Sequence, residues 1–477
     1  MRRGGFRRTV GLVIAGGAIG GALLLWFAIA VNDPASLARP TEGLLIGVWT
    51  VFYNTEAPPL RTILASVAVA LLLATTVAAL EHRVYSRSRR STDEQARPLA
   101  AKLVMERTRG VFAGPITLTV LIPAHNEASL ITSTLRALLA QSRKPDRVIV
   151  VADNCTDRTA ALALECGVEV IESVGNTKKK AGALNQVLAA MLPAQGDNDL
   201  VMVMDADTAL DDGFLETALT RFTDDRALMA VGGLFYGEEG SGLLGQFQRN
   251  EYFRYARYMK RRRGKVFVLT GTASIFRPQA LRAVAEHRGT TIPGEPGAVY
   301  DTEALTEDNE ITIALKSLGA LMISPAQCTV VTEVMPTIGD LWRQRLRWQR
   351  GALENIGAYG MTPATFRYWA QQLGLGYGVI ALGAFVLLTV LMLVSVDTWV
   401  WFPFWLGIGA IFVLEKVVTV WKGGWRARLL AVLLVPELVY DMFLNVVHVK
   451  GNFDITFGRR AAWGHAHEPK HAWRAES

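Results

Sequence analysis

Five short polar clusters in this 477-residue chain have the residue types to do chemistry together. Asp153 closes the apolar run RVIVVAD (147–153) and opens Asn154-Cys155-Thr156-Asp157. Asp205 and Asp207 close a second run, LVMVMDAD (200–207), and His125-Asn126-Glu127 follow a third, TLTVLIPA (117–124). A single Asp or Asn at such a place is commonly a turn or an N-cap. Three apolar runs that all end in polar or acidic residues point to one shared site. Asp-x-Asp after a buried strand suits a hard divalent cation, because two carboxylates supply oxygen ligands and phosphates can supply the rest. A cation so held neutralises a departing diphosphate. Further on, Thr306-Glu307-Asp308 follows a Gly/Pro-rich segment (289–300) and opens a helical run, 309–316. A carboxylate there is either a helix cap or a general base. Last comes Gln344-Arg345-Leu346-Arg347-Trp348, with Arg343 and Arg350 close by. That stretch reads as an interfacial helix with snorkelling arginines, or as a site where Arg347 grips phosphate and Trp348 stacks on a sugar ring.

Elements must place these residues. The runs at 117–124, 147–153, 168–172 and 200–207 are aliphatic, largely β-branched and end in turns, so they read as strands. Amphipathic stretches at 127–141, 157–165 and 178–192 lie between them. Alternation of this kind predicts a mostly parallel sheet covered on both faces, with ligands at the carboxyl ends of its strands.

The chain is 51% hydrophobic and 19% charged, with a net charge of +7, and its apolar residues gather at the two ends. Residues 10–31 and 60–80 are expected to span a membrane, as are 373–396 and 399–421. A secretory signal peptide is the rival reading of the first run. Arg2, Arg3, Arg7 and Arg8, the run 81–90 and the tail 450–477 are basic, which predicts cytosolic ends. Residues 43–53 are apolar but too short to cross. Residues 429–449 carry Glu437, Asp441, Asn445 and His448 on one helical face. They read as an interfacial helix or a span facing a polar cavity, and an even number of spans favours the former. The expected organisation is a membrane region (1–90), a linker (91–114), a catalytic domain (115–335), an interfacial segment (336–372), a second membrane region (373–449) and a tail. Glu415 and Lys416 are expected to pair or to reach the interface. The three cysteines, Cys155, Cys166 and Cys328, form no CxxC and fit free thiols in a reducing compartment. No basic stretch resembles a nucleic-acid module, and no nucleic-acid partner is expected.

Asp, Asp-x-Asp, Thr-Glu-Asp and Gln-x-x-Arg-Trp in this order resemble the processive family 2 glycosyltransferases, the group of cellulose, chitin, hyaluronan and poly-N-acetylglucosamine synthases. Lys180-Ala181-Gly182-Ala183-Leu184-Asn185 is similar to that family's lysine segment near the nucleotide, and Thr270–Ser274 to its acceptor-side loop. The resemblance covers roughly residues 115–420. It implies an α/β GT-A glycosyltransferase domain inserted between N- and C-terminal transmembrane helices of a bacterial-type plasma membrane, with its catalytic domain cytosolic. It implies an inverting transfer from a UDP-sugar to a growing polysaccharide, coupled to export. Asp308 would be the catalytic base. Asp153, Lys180, Asp205, Gln344 and Arg347 would bind the donor, and Thr272, Glu307 and Trp348 the acceptor. Asp205 and Asp207 would hold Mg or Mn. The layout is most similar to poly-β-1,6-N-acetylglucosamine synthases, which points to UDP-N-acetylglucosamine. No accessory subunit is evident. The competing readings are a non-processive lipid glycosyltransferase and a catalytically inactive membrane scaffold or transporter.

Overall fold

The structure, a computed structural model, describes residues 3–30, 42–46, 49–53, most of 60–79, 114–261, 264–395, 398–401 and 403–459. The chain forms two compact units, Met1–Ala100 with Phe385–Glu415 and Ala101–Ala384 with Lys416–Ser477. The linker expected at 91–114 lies outside the described residues but for Gly114, as do the basic run 81–90 and the tail from residue 460.

In the first unit, helix α1 (Arg3–Ala30) contains the run expected at 10–31 as far as Ala30. Gly17 and Gly21, one turn apart, bring it against the helical part of 60–79. A Cβ on Gly17 would sit 2.5 Å from Thr75 Cγ2, and one on Gly21 3.0 Å from Leu72 Cγ. Small residues at this spacing let helix backbones approach closely. The apolar stretch at 43–53 makes a hairpin of β1 (Glu42–Ile46) and β2 (Trp49–Tyr53).

The second unit is built on a seven-stranded sheet. Strands β3 (Thr117–Ala124), β4 (Arg147–Ala152), β5 (Glu169–Glu172) and β6 (Asp199–Met204) run parallel. Helices α2 (Ile131–Leu139), α3 (Thr159–Glu165) and α4 (Lys179–Met191) connect them. The order is β11-β8-β10-β6-β3-β4-β5, with β8 (Leu228–Gly232), β10 (Ala273–Phe276) and β11 (Leu321–Ile323) completing one edge. Only β10 is antiparallel to its neighbours, so the sheet is mostly parallel, as expected. Strand order reverses between β3 and β6, the place where open α/β sheets bind ligands.

The continuous apolar runs follow from burial on both faces. Leu121, Ile149, Val151, Val201 and Val203 join one core cluster, with Leu184 and Leu188 of α4. Val120, Ile122, Val148, Val150, Leu200 and Met202 join the other, with Ile131 and Leu135 of α2. Alternate side chains go to opposite faces. The strand expected at 200–207 stops at Met204. Asp205 turns the chain, its carbonyl accepting from Thr208 N at 3.3 Å, and β7 (Thr208–Leu210) enters a second sheet with β12 (Thr329–Thr332) and β9 (Leu234–Gly237). Helices α5 (Phe214–Asp224), α6 (Gly242–Arg261), α7 (Pro278–His287), α8 (Glu307–Ser317) and α9 (Ile338–Tyr359) complete this part.

Helix α10 (Phe366–Ser395) begins ahead of the expected 373. Its Phe366–Leu391 stretch, of mean hydropathy 2.2 and with none of its apolar window buried, is long and apolar enough to cross a membrane. The span expected at 399–421 divides. Thr398–Trp401 is a strand, β13, paired with β2, because Thr, Trp and Val there favour an extended pairing surface. Helix α11 (Pro403–Thr419) then has 17 residues, about 26 Å against a hydrocarbon core of about 30 Å. The stretch expected as one helix at 429–449 is broken. Helix α12 (Gly424–Val432) gives way to α13 (Leu434–Thr456), with a bend of 91° between 421–432 and 434–456. Pro436 cannot donate to the preceding turn, which ends α12 there. Among the described residues one helix qualifies as a span, or two if the bent pair is one.

Candidate functional site

The turns after β3 and β4 are laced into one surface. Asn126 and Asn154 adopt positive φ, 58° and 49°, which Asn tolerates better than most residues. Asn126 Oδ1 accepts from Thr156 N at 2.8 Å, Asp157 Oδ2 from Ala128 N at 3.0 Å, and Thr159 Oγ1 from Glu127 N at 2.8 Å. Asp153 is buried beside them. Its Oδ1 accepts from Asn154 Nδ2 (3.0 Å), Ser173 Oγ (2.7 Å) and Asn176 Nδ2 (2.7 Å). Three donors on one oxygen fix the carboxylate and leave Oδ2 without a protein donor among the described residues.

Asn176 is placed by α4. Gly182, the glycine of the lysine segment, lies so close that a Cβ would meet Asn176 Oδ1 at 2.1 Å. On the same helix Asn185 holds the 299–300 backbone, Oδ1 accepting from Val299 N (3.1 Å) and Tyr300 N (2.9 Å). Asn176 was not distinguished in the sequence and Asn185 only as the end of the lysine segment, since their partners lie in other loops.

Lys180 draws two acidic clusters together. Its Nζ donates to Asp205 Oδ1 at 2.6 Å and lies 2.8 Å from Glu307 Oε1. Gly271 stands at the convergence: a Cβ there would lie 3.3 Å from Asp205 Oδ2, 3.4 Å from Lys180 Nζ and 3.7 Å from Asp308 Cβ. The loop leading into β10 therefore closes over the acidic residues. Gly271 N donates to Asp308 Oδ2 at 3.3 Å, and Thr272 O accepts from Asp205 N at 3.2 Å. The Thr272 hydroxyl donates to Thr270 Oγ1 at 2.9 Å. Ala273 and Ser274, expected in a loop, belong to β10.

The carboxyls differ in proton affinity. Burial, with the charge of Glu307 next to it, pushes Asp308 up to about 6. Burial would raise Glu307 too, but the Lys180 ammonium outweighs it and holds that group below its ordinary value. Of the two, Asp308 is the better proton acceptor. Burial and the charge of Asp205 push Asp207 up to about 7. Glu127, given no role from the sequence, is raised to about 7 by burial and by Asp207 and Glu333.

Asp205 and Asp207 fit a divalent cation. They are two carboxylates at one turn, the oxygen donors a hard cation takes. Among the described residues no group of three or more His, Cys, Asp or Glu is arranged to hold a metal alone, so diphosphate oxygens would have to complete the shell.

Helix α9 brings the last cluster. Gly351 packs directly on Thr306, where a Cβ would fall 2.5 Å from Oγ1, and Asn355 Nδ2 donates to Thr306 O at 3.1 Å. The start of α8, and with it Asp308, is thereby tied to α9. The half-buried Arg347 adds its charge to that of Lys180 in lowering Glu307. Gln344 Oε1 is buried with no partner among the described residues. Trp348 lies under the buried Arg345, whose Cζ is 4.5 Å from the ring centroid.

Residues 119–285, which hold three of the five polar clusters, match the family described as Glycosyl transferase family 2. This chain carries a family 2 glycosyltransferase domain. The chain is 29% identical over 245 residues to poly-beta-1,6-N-acetyl-D-glucosamine synthase of Staphylococcus aureus strain COL. It is 26% identical over 244 residues to the synthase of that name from Staphylococcus epidermidis. Each match covers 50% of this chain and 55% of the relative, so the chain spans about half the length of the curated relatives it matches. Among solved structures, a mannosyltransferase from Pyrobaculum calidifontis in complex with GDP-Man and Mn2+ aligns with a TM-score of 0.47 at 17% identity, over 82% of this chain and 98% of that one. Glucosyl-3-phosphoglycerate synthase from Mycobacterium tuberculosis, in complex with Mn2+ and UDP, aligns with a TM-score of 0.33 at 19% identity, over 51% and 80%.

Proposed function

We propose that this glycosyltransferase is a membrane-bound, inverting polymerase that transfers N-acetylglucosamine from UDP-N-acetylglucosamine to the end of a growing β-linked polysaccharide, with export coupled to synthesis. The observation that carries the reading is the convergence of Lys180, Asp205, Glu307 and Asp308 around Gly271, with a basic-aromatic helix tied to the same place. A sugar alcohol is a poor nucleophile, and a diphosphate leaves poorly unless its charge is neutralised. The site answers both needs. Asp308 takes the proton from the acceptor hydroxyl as that oxygen attacks the anomeric carbon and the bond to the diphosphate breaks. Lys180 and Arg347 supply positive charge to the donor, Gln344 offers an unpaired buried oxygen to it, and Asp153 offers Oδ2 to the base. Glu307, engaged by Lys180, holds that lysine in place, and Thr272 and Trp348 flank the acceptor. A divalent cation on Asp205 and Asp207, Mg or Mn, would neutralise the departing diphosphate. The choice of sugar rests on the names of the curated relatives, and the membrane assignment on α10 and the apolar ends of the chain.

Purified protein in detergent, given a panel of UDP-sugars and Mn or Mg, should release UDP with UDP-N-acetylglucosamine above all others. Mass analysis should show a ladder of N-acetylhexosamine polymers. EDTA should stop transfer and added cation restore it. A single-sugar lipid product would replace the reading with a non-processive transferase, and undiminished activity in EDTA would remove the metal.

A further inference from the structure

Beyond the donor side, α9 carries a line of contacts that the proposed chemistry leaves unused. Arg345 is buried, its Nη1 donating to Glu251 Oε1 at 3.0 Å and its Nη2 lying 3.0 Å from Oε2. Glu251, on α6, also accepts from the Tyr440 hydroxyl of α13 at 3.0 Å. The Tyr440 ring is stacked on Phe247 with centroids 4.9 Å apart and planes 2° from parallel. On its other side the Arg345 guanidinium faces the Trp348 ring. Helix α13 accompanies α9 along its length: Trp342 meets Phe443 edge-on at 5.8 Å, and a Cβ on Gly451 would touch Gln349 Cγ at 3.3 Å. Burying a guanidinium is costly, and an apolar side chain would fill the space as well. What a planar guanidinium, held to Glu251 by the Nη1 hydrogen bond and by opposite charge, adds is a plate against an indole.

We propose that Glu251 and Tyr440 are positioning residues that act through Arg345 to set the plane of the Trp348 ring, so that α13 governs how firmly the growing sugar chain is held. The inference rests on the reading of Trp348 as the acceptor platform. Its test uses the full chain in detergent, UDP-N-acetylglucosamine as donor and a β-1,6-linked N-acetylglucosamine pentamer as acceptor. Product length from donor alone gives the same readout without added acceptor. Tyr440→Phe, which deletes one hydrogen bond, should raise the acceptor KM about threefold. Glu251→Gln and Arg345→Lys should raise it about tenfold and shorten the product, while calorimetry finds UDP affinity within about twofold of the parent. In a Trp348→Ala background these changes should have no further effect on the acceptor KM, because the ring they position is gone. Glu251→Gln leaves Arg345 buried without its counter-charge. Should that variant misfold, Tyr440→Phe and Arg345→Lys, which keep the ion pair, decide. Acceptor KM and product length at parental values in these variants, equal losses of UDP affinity, or full additivity with Trp348→Ala would reduce the network to a structural tie. If Trp348→Ala itself leaves acceptor KM and product length unchanged, the platform reading is what fails.

Discussion

Asp308, raised to about 6 by burial and by Glu307, is ionised at neutral pH and still basic enough to take a proton. As the proposed base it must be deprotonated to act. At saturating cation, which would keep Asp207 ionised, turnover should therefore hold steady above about pH 6 and fall about tenfold for each unit below it. A rate profile flat down to pH 4.5 would contradict that role. Asp308→Asn should cost about 10²–10⁴-fold in kcat, with UDP affinity by calorimetry little changed. Arg347→Ala should weaken UDP binding as well, since charge-assisted contacts to phosphate are among the stronger polar interactions. If Asp308→Asn loses UDP as completely as Arg347→Ala does, Asp308 belongs to the donor site. Glu307 is a poor substitute base, because Lys180 at 2.8 Å lowers its affinity for a proton.

Helix α4 sets the proposed donor end from the sequence of one turn. Gly182 has no Cβ, so Asn176 fits against it and donates to Asp153. Gly182→Ala would drive a methyl into Asn176 Oδ1 and remove one of the three donors on Asp153. Loss of a buried hydrogen bond of this kind predicts UDP binding about tenfold weaker, with circular dichroism showing the helices intact. Unchanged UDP affinity in a folded Gly182→Ala protein would take Asp153 out of the nucleotide site. Helix α9 does the same for the other end, where Gly351 lets it press on Thr306 and fix the first turn of α8. Gly351→Ala overpacks that contact and should lower stability by about 1–3 kcal/mol, read as a drop in Tm.

For the molecule as a whole, the proposal requires the catalytic unit on the side of the membrane where UDP-sugars are made. In a background with Cys155, Cys166 and Cys328 changed to Ala, an exposed cysteine at Ser142 should resist impermeant thiol reagents in intact cells and react after lysis. Ready labelling in intact cells would reverse the orientation. The polar face of the C-terminal segment bears on the same question. Glu437 is buried, bonded by Arg254 of α6 and by Lys416 Nζ at 2.9 Å. That face is turned on to protein, whereas Val435, Val439, Val446 and Val449 are exposed on the other. The pairing expected of Lys416 is thus found, with Glu437 as the partner.

The sequence alone determined the four parallel strands β3 to β6, because burial on both faces of a sheet writes a continuous apolar run, and it determined where their polar ends would fall. It also determined the acidic and basic residue types, though not their proton affinities, which burial and neighbours set in the fold. What it left open was decided between residues far apart in the chain. Lys180 engages Glu307 across 127 positions, Asn185 reaches Tyr300, and Arg345 meets Glu251. No local spacing records such pairs, because they exist only once the sheet and α9 have brought separate turns together. The split of 399–421 into strand and helix, and the break at Leu433, were hidden for the same reason: hydropathy registers how apolar a stretch is, whereas a pairing strand or a proline's missing donor decides its shape.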